Sequence, residues 1–439
     1  MKGGTLEKTG GHSVLAMISS PVASSASAEL HRQRLMLIEA TMERSAEMTN
    51  NSAGKAVEQA HAELLNFIGP AGLLLDYRGE IPTARDCAEC RPNAKGWWTP
   101  IENGPMFTAP WLVAVCRRAE ISGLAEDRAL SRRLARGLLR AASLSTTPGF
   151  IARGEGAERG CHYPIGSMDQ TLPWFYGLYV YQKSGGADPE VADNARKTML
   201  AVADAIAKND WKCPCEAPFD AETCGDFRNE GAPFRNAVHG LFLFRILGEL
   251  APEHYGGLYE EMAHSKARRC DMTRLETCAK GYEADIPVLP NLEPGLLWIY
   301  VCAQGCLREL ARLEPDEQAF KRGLKANAKR AAHFMALRKG YDNSTEVPFR
   351  YANWRTGYMW REQKTIADSD RVASTGDEAI LGTRKKFERA YMTAPLSAAA
   401  ICALAGESPQ EVAKTLAHYD YATLNLSEFF LAEVAWFTR

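Results

Sequence analysis

The sequence predicts an all-α fold: one (α/α)6 toroid, a ring of six helical hairpins over residues 29–439, with long loops on one rim. Three observations predict it. Apolar residues recur at three- and four-residue intervals in successive paired segments. The turn inside each pair is only a few residues. The connections between pairs are long, at 69–106, 144–168, 209–234, 271–292 and 338–387, and such loops in a compact domain are commonly functional. In a ring of helical hairpins all of these loops emerge on one side.

The elements follow in order. The first pair falls at 30–48 and 53–68, then 107–121 with 126–143, and 169–184 with 188–208. The fourth is 235–250 with 254–270, the fifth 293–313 with 315–337, and the sixth 388–405 with 408–418; a last helix at 427–437 closes the chain. Gly185-Gly186, Pro189, Gly248, Pro252, Pro315, Gly406 and Pro409 punctuate the turns. No sustained strand alternation occurs, although short β pieces would fit within 338–387. The helices after the long loops are the more apolar ones and are expected to form the inner ring. Their partners are charged along one face, as Arg128, Arg132, Arg136 and Arg140 show, and face solvent.

Composition narrows function. The chain is 46% hydrophobic and 24% charged, with net charge −2, so it lacks the basic surface of a nucleic-acid partner. No stretch approaches the roughly 18 apolar residues of a membrane span. Residues 1–28 are poor in acids and end in Ala26-Ser27-Ala28, a small-x-small pattern. They read as a leader or signal peptide, which implies export to the periplasm or beyond; a cytoplasmic leader is the alternative. Of twelve cysteines, Cys87, Cys90, Cys161, Cys213, Cys215, Cys224, Cys270 and Cys278 fall in or beside connections and suit disulfides. Cys87-x-x-Cys90 and Cys213-x-Cys215 keep a metal site open as the competing reading, although none is assigned. No P-loop, His-x-x-x-His pair or Gly-x-Gly-x-x-Gly occurs, so neither cofactor nor metal is expected.

The inner-helix starts mark the cleft. Polar residues there are Glu102, Asn103, His162, Tyr163, Asp169, Gln170, Asp226, Glu230, Arg235, Asn236, Asn291 and Glu293. Carboxylates from different hairpins on one rim are what glycoside chemistry needs, one as acid and another to handle water or developing positive charge. Trp98, Tyr163, Trp174, Trp354 and Trp360 are candidate sugar platforms. Acids at helix starts also serve as caps, and aromatic residues also serve as packing.

The stretch Ser167-Met-Asp-Gln-Thr-Leu-Pro-Trp-Phe-Tyr-Gly resembles a motif of the unsaturated glucuronyl and rhamnogalacturonyl hydrolases, where an Asp shortly before a Pro opens an inner helix. The resemblance implies that Asp169 is the general acid/base. Glu102-Asn103 stands where that family carries His-Asp, so Glu102 is the expected second carboxyl. It also implies hydration of an unsaturated uronic acid, with Arg153, Arg235 or Arg355 pairing with the uronate. The expected partner is an oligosaccharide containing uronic acid. A polysaccharide lyase using His162-Tyr163, and a non-catalytic glycan-binding toroid, are the alternatives; a sugar epimerase has only His162 to support it.

Overall fold

The computed structural model describes residues 51–228, 231–267, 269–343, 354–356 and 359–439. The leader, the candidate helix at 30–48, Glu230 and Tyr358 lie outside the described residues. The described chain is predominantly helical. Its one ladder pairs β1 (Lys212–Pro214) with β2 (Thr223–Asp226), antiparallel, inside the 209–234 connection.

Six buried helices carry the core: α3 (Gly104–Ser122), α5 (Met168–Lys183), α7 (Pro233–Leu250), α11 (Trp298–Leu313), α14 (Ala394–Leu404) and α16 (Leu431–Phe437). Each contacts the next, and α16 returns to contact α3, so the order is closed. That arrangement is compatible with a helical toroid. These helices are apolar almost all round, as a helix must be when both neighbours and an outer layer cover it. Trp111, Leu112 and Val115 of α3, Leu172 and Phe175 of α5, and Leu241 to Phe244 of α7 have no appreciable exposure. Each such side chain contributes about 1.5–3 kcal/mol through burial.

The outer layer is amphipathic. It comprises α1 (Ser52–Leu64), α4 (Ala125–Ser143), α6 (Pro189–Lys208), α12 (Gln318–Ala331) and α15 (Pro409–Leu416). Local chemistry sets its boundaries. Gly123 ends α3 in the left-handed region, φ 67°, and donates its N–H to Ala119 O. Asp188 caps α6 through Val191 N at 3.1 Å, with Pro189 in the first turn.

Three sequence expectations need correction. The helix expected at 254–270 is broken into α8 (Pro252–Tyr255) and α9 (Leu258–His264), because Gly256-Gly257 interrupts it and Ser265 is extended. The helix that packs on both α7 and α12 is instead α10 (Arg274–Lys280), started by a Thr273–Glu276 capping box inside a segment expected to be loop. The connection 338–387 holds a helix, α13 (Ile366–Glu388), rather than β pieces in its described part. Between α13 and α14 the chain makes a π-helical turn, Arg389–Thr393.

The expected disulfides are also not formed: none of the twelve cysteines is disulfide-bonded. Two loop pairs nevertheless face each other, Cys87 with Cys161 and Cys215 with Cys224. Among the described residues, no group of His, Cys, Asp and Glu is placed to hold a metal ion, and no helix is long and apolar enough to cross a membrane.

Candidate functional site

The starts of the buried helices converge at one end of the closed order. On one side, Asp169 opens α5 and Arg235 opens α7, with Arg235 Nη1 3.4 Å from Asp169 Oδ1. Asp285 fixes the start of α7, accepting from Phe234 N at 2.6 Å, Arg235 N at 3.2 Å and the Tyr300 hydroxyl at 2.7 Å. Tyr300 stacks on Phe234 at 6.2 Å, which brings the first turn of α11 to the same place. A second ion pair, Arg389 Nε 3.2 Å from Glu428 Oε1, stands at the entries to α14 and α16. Phe107 joins the two sides through its ring contacts with Trp298 at 5.6 Å and Phe430 at 5.3 Å.

Asp169 is crowded by protein, yet its side chain keeps 37% of its exposure, as expected for a group lining a concavity. Crowding alone pushes its carboxyl up. The Arg235 guanidinium, helped by Arg153 and Lys95, more than offsets this and holds it below the usual carboxylate range. His239, one turn further along α7, has its pKa pulled down to about 3 by burial and by Arg235, so it is neutral at pH 7 and adds no charge there. Neither of its ring nitrogens has a partner. The resting site therefore holds Asp169 as a carboxylate.

The other residues singled out from sequence divide into three groups. Glu102, Asn103, Gln170 and Arg153 adjoin the cleft as its frame. Glu102 Oε2 accepts from Trp98 N at 2.7 Å, and its carbonyl receives Arg153 Nη1 at 3.3 Å. Gln170 bridges Met106 N and Asn103 Oδ1, at 3.2 and 3.4 Å. Asn236 is fully buried, donates to the Asp226 carbonyl at 3.3 Å and leaves its Oδ1 unpartnered.

A second group packs the loops. Trp98 donates its indole N–H to Ala373 O, and Tyr163 donates its hydroxyl to Arg91 O. Trp354 donates to Glu80 O at 2.9 Å, Arg355 pairs with Asp86 and Glu80, and Arg91 lies 5.4 Å from the Trp360 ring. Together they clasp the 77–91 segment. A third group is turned elsewhere. Trp174 donates to Leu138 O of α4 at 2.6 Å, and Glu293 takes a two-pronged bond from Arg330 of α12. His162 bonds Glu216 Oε2 at 2.7 Å and Gly160 O at 2.8 Å, beside a cavity of about 320 Å³ that Cys87, Cys90 and Cys161 also line.

Sequence reasoning missed Asp76, Asp285, Tyr300, Trp298, Arg389 and Glu428. Asp76 is buried and grips Asn103 twice, accepting its backbone N–H at 2.8 Å and its side-chain amide at 2.7 Å. Arg389 and Glu428 carried a usable signal, since both stand at the starts of segments already expected to be buried helices. Asp285 and Asp76 sit in connections and carried none. No protein-family model matches the chain, and comparison with curated proteins and with solved structures gives no match either.

Proposed function

We propose that this chain is a six-hairpin helical toroid whose cleft takes a carboxylate-bearing sugar, and that it acts as a hydrolase of the unsaturated-uronyl type with Asp169 as acid/base. The observation that carries the reading is the Asp169–Arg235 pair, half-open at the meeting point of the buried helices. A substrate uronate binds Arg235, because a planar guanidinium matches a carboxylate's two oxygens. Binding then removes Asp169's counter-charge and sets a second negative charge beside it, and both effects raise its pKa. Asp169 takes up a proton and delivers it to one alkene carbon. Water adds to the other carbon and returns its proton to Asp169; the resulting hemiketal opens its ring to a ketone and an anomeric hemiacetal, which collapses to an aldehyde and passes its hydroxyl proton to the departing sugar oxygen.

The test is turnover of an unsaturated uronyl disaccharide, followed as loss of its ultraviolet absorbance. Asp169→Asn is expected to lower the rate by about 10²-fold or more; full turnover by that variant would sink the assignment. The second reading, a glycan-binding toroid without turnover, is favoured by one observation: the Glu102 carboxylate is engaged by Trp98 N–H rather than presented to a reacting group. Binding without product release by the wild type would select it. The lyase reading loses its motive, since His162 is bonded through both nitrogens and the Tyr163 hydroxyl is tied to Arg91.

A further inference from the structure

Two of the long connections meet beside Gly156. The turn 156–161 lies on α2 (Ala84–Ala88): Ala157 N donates to Pro82 O at 2.8 Å, and Ala84 N donates to Glu158 Oε2 at 2.6 Å. Gly156 N closes the turn on Cys161 O at 2.8 Å. A Cβ on Gly156 would stand 2.5 Å from Cys161 Sγ and 3.5 Å from Cys87 Sγ. The two sulfurs are therefore no farther apart than those lengths laid end to end. Cys87 donates its thiol hydrogen to Cys161, and Cys161 in turn donates to Glu158 O at 2.8 Å.

The two thiols differ in access. Cys87 is 3% exposed and packs with Ile101 and Tyr163, whereas Cys161 is half-buried. Both line the cavity of about 320 Å³ that His162 and Glu216 border. Sequence spacing points to a different pair, since Cys87-x-x-Cys90 is the local motif. Cys90, however, lies past the end of α2 with φ 54° and packs beside Ala94, Ile165 and Phe219. Burial raises the pKa of Cys87 and of Cys161, so both rest as uncharged thiols.

We propose that Cys87 and Cys161 form a thiol–disulfide exchange site, whose cavity receives a low-molecular-weight disulfide and whose own bond, once made, resists reopening. Cys161, the accessible thiol, loses its proton to solvent and attacks one sulfur of the reagent. The reagent's S–S bond breaks, and its first half leaves and takes up a proton as a thiol. Cys87, likewise deprotonated, attacks Cys161 Sγ and releases the second half as a thiol. Two protein thiols are oxidised to one disulfide, and the reagent is reduced to two thiols. Reopening is the harder direction: a reductant that reaches Cys161 must expel Cys87 as a thiolate, where burial disfavours that charge. The bond fixes the 77–91 segment to the 144–168 connection, which supplies Arg153 to the frame of the cleft. The inference is independent of what the cleft binds.

The test is exposure of the native full chain to glutathione disulfide, alkylation of the remaining thiols, and peptide mapping without reduction. A peptide pair joined through Cys87 and Cys161 is expected, with Cys90 alkylated. Cys161→Ser is expected to cut oxidation at Cys87 at least about tenfold, since the buried thiol then lacks its accessible partner. Cys87→Ser is expected to stop at a mixed disulfide of glutathione on Cys161. Reopening by reduced glutathione is expected to be at least about tenfold slower in the native chain than in urea; equal rates would overturn the persistence of the bond. A Cys87–Cys90 bridge, or Cys87 and Cys161 both recovered as alkylated thiols, would overturn the site itself. Should either variant fail to fold by circular dichroism, the wild-type map decides the question.

Discussion

Asp169 and Arg235 open neighbouring buried helices and meet as an ion pair 3.4 Å apart at the mouth of the cleft. Arg235 is the strongest of the charges that hold Asp169 ionised. Arg235→Gln is therefore expected to move the Asp169 titration upward, toward and past the ordinary carboxylate value, because crowding then acts with less opposition. Carbon-13 NMR of labelled aspartate would follow it. An unmoved Asp169 resonance would show that the pair does not control its proton.

His162 and Glu216 tie the 144–167 connection to the segment after β1. Burial lowers the His162 pKa, but the Glu216 bond and charge, with the Gly160 carbonyl, leave it raised. Burial likewise raises Glu216, which His162 and Ser145 then hold below its ordinary value. The His162 contribution is complete below about pH 6.5 and disappears as pH rises through the raised folded value. The Glu216 contribution is present above about pH 4.5 and is lost as pH falls through its lowered one. The stability gap between wild type and His162→Gln should accordingly be widest near pH 5–6, at about 1 kcal/mol, and should close toward pH 8. Urea titrations across that range measure it; a flat gap would contradict the pairing.

Removing Asp76 leaves two enclosed donors of Asn103 without acceptors, at the point where α3 begins. Asp76→Ala should cost about 2–3 kcal/mol, seen as a lower melting temperature. Asp76→Asn, which retains one acceptor, should cost less. Equal loss in the two variants would mean that side-chain shape, and not hydrogen bonding, is what matters there.

At Gly177, α5 packs tightly against α3. A Cβ at that position would lie 2.8 Å from Ala109 Cβ, 2.9 Å from Ala109 Cα and 3.0 Å from Leu138 Cδ1. Two of these neighbours cannot move without their helix. Gly177→Ala should destabilise by about 1–3 kcal/mol through overpacking, despite alanine's better helix propensity. A stabilised variant in thermal unfolding would refute this packing.

The helical framework was legible because burial imposes periodicity: α3, α5 and α7 begin within three residues of the expected positions. What local pattern could not supply was long-range partnership. The 254–270 segment has helical spacing, but Gly256-Gly257 decides against it, and the capping box that starts α10 looked like loop. In the cleft, Asp169 and Arg235 were accessible to a rule that reads helix starts. The same rule applied to 388–405 and 427–437 reaches Arg389 and Glu428. Asp285 and Asp76 owe their roles to contacts made 51 and 27 residues away, which no short window contains.

The closure of the helical order by α16 has a consequence for the order in which the chain is made. Glu433 is fully buried and accepts from Trp111 Nε1, while also meeting His61, so α16 supplies the acceptor for a core residue translated some three hundred positions earlier. Until residues 427–437 leave the ribosome, α3 has an uncovered apolar face and the cleft lacks Glu428. The nascent chain carries that open seam until then, which makes it a client for whatever shields apolar surfaces in the interval. A stop codon shortly before residue 427 would leave the circle unclosed.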